Sequence, residues 1–581
     1  MFVPNKKIGI FASSKITLLI VIRRLLLFLL STFCVFLTVT VANAQGFISG
    51  SFQSNTNFFI RDPAIGAAGL PHYDNLKVGD DAWLNVNYNN EKLGLEAGVR
   101  LDVFLNSIIK NPTVPFTGVG LGNFYVKKKV KDLTISGGYL YDQIGTGLIF
   151  RAYEERTLGI DNALLGARLE YDILKKVKLK AFCGVQKNQF TIYKPIISGF
   201  HAEGNFNIKE KVQLNPGFGV LNRSMDQGSI NSLVTRIEAL DTSLRFVPKY
   251  NVYAFTVYNT LSVGGFRWYI EGAFKTQDAI YGYGNKLLNT SGNIVYTSLS
   301  YSQKGFGITA QFKRTENFTM RTSANENLFN GILNFQPPVP NQNSLRLPSR
   351  YFAPALDQHE LAFGADITYS PNKKWTFILN GSHVRDFIFK EALVKEQIIT
   401  PKSGGGADTT YKDHKHFFSE AALHIRFKPN RSMDLEGGFQ FIRYNRVIYR
   451  GDGEYAVDAY SPFIEFTHKV TRKMSYRIEA QYQYVPKDFG QWAYALLEFN
   501  IAPRWSFAVS DMWNFAPNKT NPESIYRTQH HFYSVFAAFT YHSHRFSLNY
   551  VKQVGGIVCT GGVCRFEPAF SGVKFAVTST F

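Results

Sequence analysis

Cysteine is scarce. There are four in 581 residues, and outside the N-terminal apolar segment only Cys183, Cys559 and Cys564 remain. So few thiols exclude a disulfide-built scaffold, and with no histidine near the Cys559–Cys564 pair a thiolate metal centre is not expected. Long apolar runs are missing after residue 41, so no later segment can cross a bilayer as a helix. Charged residues make up only 19% of the chain, below the roughly 25% of soluble proteins. Linkers, low-complexity tracts and shifts in composition are also lacking, which argues for one large domain. HExxH, G-x-S-x-G and Walker motifs do not occur, and the glycines of GTGLIF and GLGNFY sit at strand ends, not in phosphate cradles. The expectation is a protein that is not an enzyme and holds no metal or cofactor. Nucleic acid is not an expected partner either, because the basic residues lie in turns and charge-mixed strands without a recognisable module.

What is present begins with a targeting signal. Lys6, Lys7, Lys15, Arg23 and Arg24 precede an apolar run from Leu25 to Val41, and Ala42-Asn43-Ala44 follows as a small-x-small cleavage site. This predicts a secretory signal peptide over 1–44 and a mature domain over 45–581.

The mature chain is rich in aromatics, which form 15% of the sequence. It also alternates. In 93–103, Leu93, Leu95, Ala97, Val99, Leu101 and Val103 share one face, with Glu96, Gly98, Arg100 and Asp102 on the other. Segments 417–427 and 474–484 repeat the pattern. The C-terminal strand alternates too, with Phe575 and Val577 against Lys574, Thr578 and Thr580, and it ends on an aromatic, Phe581. Such a strand resembles the closing strand and assembly signal of a bacterial outer-membrane barrel, and period-2 segments of about ten residues are what such a barrel needs. Eleven short turns, from 89–92 to 541–544, alternate with twelve longer segments, among them 142–162, 187–198, 314–358, 385–415 and 554–571. The predicted fold is all-β: a transmembrane antiparallel β-barrel of about 24 strands, give or take two, with no separate plug domain.

Orientation follows from the turns. Short turns face the periplasm in such barrels. Here Tyr88, Tyr171, Tyr301, Tyr369, Tyr541, Trp375 and Trp505 flank them as an interfacial girdle. The same turns are basic, with Lys127, Lys128, Lys129, Lys175, Lys176, Lys373 and Lys374 among them. That rim either meets lipid headgroups or an envelope partner, or is a solvated turn surface. Inward positions carry Glu96, Arg100, Asp102, Arg168, Glu170, Arg267, Glu271, Arg477 and Glu479. They line either a charged channel or a wall stiffened by ion pairs. A barrel this wide needs contents or stands open, and 314–358 and 385–415 are the candidate fillers. Cys559 and Cys564, in CTGGVC, are spaced for a disulfide across a tight hairpin. His530, His531, His542 and His544 gather near one hairpin and read as interface or rim residues, with a barrel hydrolase as the remaining reading.

Segment 139–168, YLYDQIGTGLIFRAYEERTLGIDNALLGAR, resembles a family of large, poorly characterised outer-membrane barrels of Bacteroidota. The resemblance rests on Tyr141, Asp142, Gly145, Gly147, Arg151, Tyr153, Glu154, Arg156, Gly159, Asp161 and Asn162. It implies an outer-membrane barrel and carries no known activity. Its density of Gly, Arg, Glu, Asp and Asn suits a loop folded into the lumen, with Arg151 or Arg156 bonded to Glu154, Glu155 or Asp161, or equally a docking surface. Expected partners are outer-membrane lipid and the barrel assembly machinery. The expected function is a channel or transporter-like pore for small solutes. The alternative is a non-conducting barrel subunit of a secretion or outer-membrane assembly complex.

Overall fold

Strands that are apolar on one side and polar on the other must pair along both edges if they are to sit in lipid, and here the pairing continues until it closes. The computed structural model describes residues 46–581 apart from 210, 282–286, 327–329, 388–415, 452–453, 455, 522–523 and 561–562, and gives the backbone alone at 209 and 557–567. The predicted signal peptide, 1–44, and nearly all of the 385–415 segment lie outside the described residues.

One sheet holds 25 strand segments. Two of them, Thr191–Gly204 and Phe206–Lys209, pair with the same neighbour, Val212–Ser224, and form one stave interrupted at Asn205. The result is a closed antiparallel barrel of 24 strands, the number read from the sequence. The first strand, Phe47–Phe59, pairs with the second, Val78–Asn90, and with the last, Phe570–Thr580. At the seam, Gly50 N–H donates to Phe581 O at 2.8 Å and Phe581 N–H returns the bond to Gly50 O at 3.0 Å. The Phe581 ring lies where a Cβ on residue 50 would stand, so glycine is required there. Closure leaves no unpaired edge, which is the condition for a β-structure to span a membrane.

All eleven short turns form at one end, as links of two to five residues. Several rely on left-handed residues, such as Lys131 (φ 55) and Gly305 (φ 77). The opposite end carries the long segments, but not every predicted one is a loop: most of 276–292 belongs to the strands Phe266–Tyr281 and Leu287–Gln303. The predicted loop 187–198 is a tight link at Gln189-Phe190, because the strands Val177–Asn188 and Thr191–Gly204 run on past the wall. Phe190 drives this by packing its ring 5.8 Å from Phe104 and 6.1 Å from Phe116.

The outer face is an exposed belt of Val99, Leu121, Leu379, Leu423, Ile464, Leu497, Val509 and Leu548. Tyr171, Tyr301, Tyr369, Trp375, Trp505 and Tyr541 ring its short-turn edge. An apolar belt of this extent is stable only in lipid. The chain is an integral outer-membrane β-barrel. Its apolar cores lie inside, against two loops that turn inward.

Candidate functional site

The first inward loop leaves the wall at Leu140 and returns at Leu164. It opens with a hairpin that pairs Asp142–Ile144 with Phe150–Ala152. The hairpin turns at Gly145 (φ 56) and Gly147 (φ 99), a left-handed geometry that favours glycine. Ile144, Leu148, Ile149 and Phe150 are fully buried against wall residues Phe182, Ile197, Leu221, Val252 and Ile294. Each such side chain contributes roughly 1.5–3 kcal/mol. Gly219 in the wall leaves the space that Ile144 fills.

Polar anchors hold the same loop at three points. At its root, Asp142 is bound by Arg168 at 3.1 Å and Lys180 at 2.5 Å. At its tip, Glu271 Oε2 accepts from the Thr146 amide at 2.9 Å and the Thr146 hydroxyl at 2.5 Å. Thr256 and Tyr269 hydroxyls complete the Glu271 shell at 2.9 and 2.6 Å. At its far end, buried Arg100 binds Asp102 at 2.6 Å, Glu154 at 2.5 Å and Asp161 at 2.7 Å. Lys187 adds a second cation to Asp161 at 2.5 Å, and Arg156 adds one to Glu154 at 2.9 Å. Burial by itself would raise the Asp161 carboxyl, but Lys187 and Arg100 outweigh it and hold the group below the ordinary carboxylate range.

The second inward loop spans 317–359. It meets the first in the lumen: Arg151 N–H donates to Leu333 O at 2.8 Å and Phe335 N–H to Gly147 O at 2.9 Å. Arg151 stacks its guanidinium on Tyr153 at 4.3 Å and on Phe335 at 4.2 Å, so of the two arginines expected to bond the loop acids it is Arg156 that does. Wall side chains then clamp the loop backbone in sequence. Lys275 donates to Thr319 O at 2.9 Å, and Arg223 to Arg321 O at 2.9 Å. Farther along, Glu420 accepts from Asn341 N–H at 2.8 Å and Gln481 from Leu347 N–H at 2.9 Å. Tyr351 donates to Asp488 at 3.0 Å. Lys275, Lys313 and Glu360 are buried among these contacts, with Lys313 paired to Glu360 at 2.6 Å. None of these clamps was singled out from sequence. The available signal was apolar residues on both faces of one strand half, as in Val252-Tyr253-Ala254-Phe255, which marks a wall covered on both sides.

The remaining predicted residues sit elsewhere on the wall. Glu96 pairs with Lys127 at 3.1 Å near the short-turn end. Arg168 pairs with Glu170 at 2.8 Å. Arg477 joins Glu465, Glu479 and Glu498 at 3.1, 3.1 and 3.0 Å. Arg267 is exposed. The four histidines do not converge. His531 contacts Asp511 at 2.6 Å at the start of the strand His531–Tyr541, while His542 and His544 lie beyond its other end, about 35 Å away. Cys559 stands opposite Cys564 in the backbone register of a short hairpin.

Between the inward loops and the seam strands lies a cavity of about 1230 Å³. Seven Lys and Arg side chains line it against three Asp, Asp81, Asp161 and Asp357. Toward the short-turn end the seam wall becomes neutral and polar. Ser49, Ser51 and Gln53 of the first strand stand in register with Asn87, Asn85 and Trp83 of the second, and Gln53 with Thr578 of the last. Arg156 reaches Gln53 Oε1 at 3.3 Å, which places this face inside the barrel.

A family model described as a family of unknown function, DUF6029, matches residues 22–581. No curated protein matches the sequence. Among solved structures, Pseudomonas aeruginosa OccK8 (OprE) is similar at 10% identity and TM-score 0.36, over 80% of this chain and 97% of that one. The siderophore receptor PirA from Pseudomonas aeruginosa is similar at 8% identity and TM-score 0.41, over 93% of this chain and 81% of its own. The outer membrane transporter YddB from Escherichia coli is similar at 10% identity and TM-score 0.40, over 93% and 81%.

Proposed function

The chain belongs to DUF6029, a family of unknown function, and from that premise we propose that it is a loop-constricted outer-membrane pore for small solutes. The observation that carries this reading is the division of the lumen. The two inward loops pack on the wall residues from Phe182 to Ile294 and on those from Glu420 to Asp488, while a cavity stays beside the neutral polar seam. Small hydroxyl and amide side chains suit a passage that solutes must leave as readily as they enter. In this reading the short turns lie in the periplasm and the cavity opens toward the outside. The same reading takes the chain for a Bacteroidota barrel, on the strength of 139–168.

Reconstitution in planar bilayers tests it. A small unitary conductance is expected, well below that of an empty barrel of this strand number. A barrel that passes no current would overturn the pore. A stoichiometric protein partner retained through purification would then favour the alternative, a barrel subunit of an envelope complex, for which the exposed lysines of the short-turn rim offer a docking surface.

A further inference from the structure

Resting on the pore reading, we infer that the cavity is a binding vestibule for small oxyanions, carboxylates or phosphates, with Lys110 as a principal contact. The argument begins with the pairing of charges on the cavity wall. Asp161 is held by Arg100 and Lys187, Glu154 by Arg100 and Arg156, and Asp102 by Arg100. Every carboxylate of that cluster is taken. Lys110, on the link between the strands Leu95–Ser107 and Phe116–Val130, faces the same cavity and has no ion pair among the described residues. Lys110 is exposed at the cavity, where desolvation and the like charge of Lys187 lower its amine against the pull of Asp161.

In the rest of the lining the cations outnumber the two acids, Asp81 and Asp357. Arg321 contributes from the second inward loop, Arg446 from the long-loop side and Lys574 from the last strand. Arg446 is itself fixed by Asp488 at 2.6 Å, and Lys574 sits over the Phe570 ring at 4.4 Å, so both are positioned rather than sweeping through solvent. A concave site lined chiefly by one sign focuses the opposite charge. The volume exceeds the roughly 300–1,000 Å³ of ordinary small-molecule pockets, which leaves room for a hydrated solute in transit. Carboxylate and phosphate groups are what Lys and Arg recognise best.

Two measurements on the full-length protein test this. In a potassium chloride gradient across a planar bilayer, the reversal potential should report preference for chloride, and millimolar citrate or inorganic phosphate should reduce the current. Lys110→Gln should weaken that block about tenfold, the size of one charge-assisted contact, while Lys110→Arg retains it and Lys176→Gln, on the opposite rim, leaves it unchanged. Preference for potassium, or equal block in Lys110→Gln, would overturn the inference and leave the pore standing. The second measurement does not need conduction. Amine acylation at Lys110, followed by peptide mass spectrometry, should be slowed by citrate or phosphate in the detergent-solubilised protein, and the relative effects of the two anions separate carboxylate from phosphate as the preferred group. Absence of protection by either overturns the anion site, whereas absence of current alone overturns the pore.

Discussion

The Thr146 amide and hydroxyl both donate to the same oxygen of Glu271, at 2.9 and 2.5 Å, across 125 residues of sequence. A fully buried carboxylate is here satisfied by four neutral donors, with Thr256 and Tyr269 supplying the other two. The loop tip is therefore held by hydrogen bonds that exist only while both partners are in place. Glu271→Ala should leave those donors unmatched at a cost of about 1–3 kcal/mol. Hydrogen exchange over 144–150 should accelerate, with the wall strands unaffected, and current through the barrel should rise. Unchanged protection at 144–150 would show that the apolar packing of Ile144 and Ile149 holds the tip alone.

Arg100 carries a heavier load, since three carboxylates converge on it. Arg100→Leu would bury Asp102, Glu154 and Asp161 with only Lys187 and Arg156 left to meet them, and the expected loss is about 3–5 kcal/mol. The unfolding midpoint, read from the heat-dependent mobility of the barrel in detergent gels, should drop. Adding Glu154→Gln and Asp161→Asn should recover much of it, because the penalty is uncompensated charge rather than missing volume.

The pH dependence of that anchor has a definite sign. The Asp161 carboxyl is held below its ordinary range in the folded barrel. Its contribution is thus complete above the unfolded value, near 3.9, and is lost as pH falls through the lower folded value. Hydrogen-exchange protection over 154–162, corrected for the intrinsic rate at each pH, should hold from neutral pH down to about 4 and fall only in stronger acid. Asp161→Asn should abolish that acid step. Protection that falls between pH 7 and 5 would assign the anchor to a different group.

Much of this arrangement is legible in the sequence, and the limits are physical. Period-2 alternation is local, so each stave could be read within its own ten residues, and the alternation of turns with loops carried the count to 24. The segment around Arg151, Glu154, Arg156 and Asp161 was legible as a lumen loop or equally as a docking surface, since its density of Gly, Arg, Glu, Asp and Asn suits both. Arg100 and Glu271 were legible as inward, but their partnership with this segment was not, because it joins residues 54 and 125 apart in the chain. Spacing misled at the histidines, where thirteen residues of chain cross the whole membrane between His531 and His544. The alternation of turns and longer segments misled at 187–198, where the strands continue into a tight turn at Gln189-Phe190.

Two positions on the last strand should report opposite surroundings. Lys574 lines the cavity, whereas Val577 belongs to the alternate, outward set and stands opposite exposed Phe546. In cysteine-free protein, Lys574→Cys should react with a water-soluble maleimide in intact proteoliposomes and Val577→Cys should be protected until the lipid is removed. Equal labelling of the two would break the assignment of faces along the seam.

The bonds between Gly50 and Phe581 join segments that leave the ribosome more than five hundred residues apart. Each of these strands is therefore the cover of the other's edge. Removing either would leave two rows of unpaired N–H and C=O groups facing lipid, so the polar wall beside the cavity stands only while both ends of the sheet are in place.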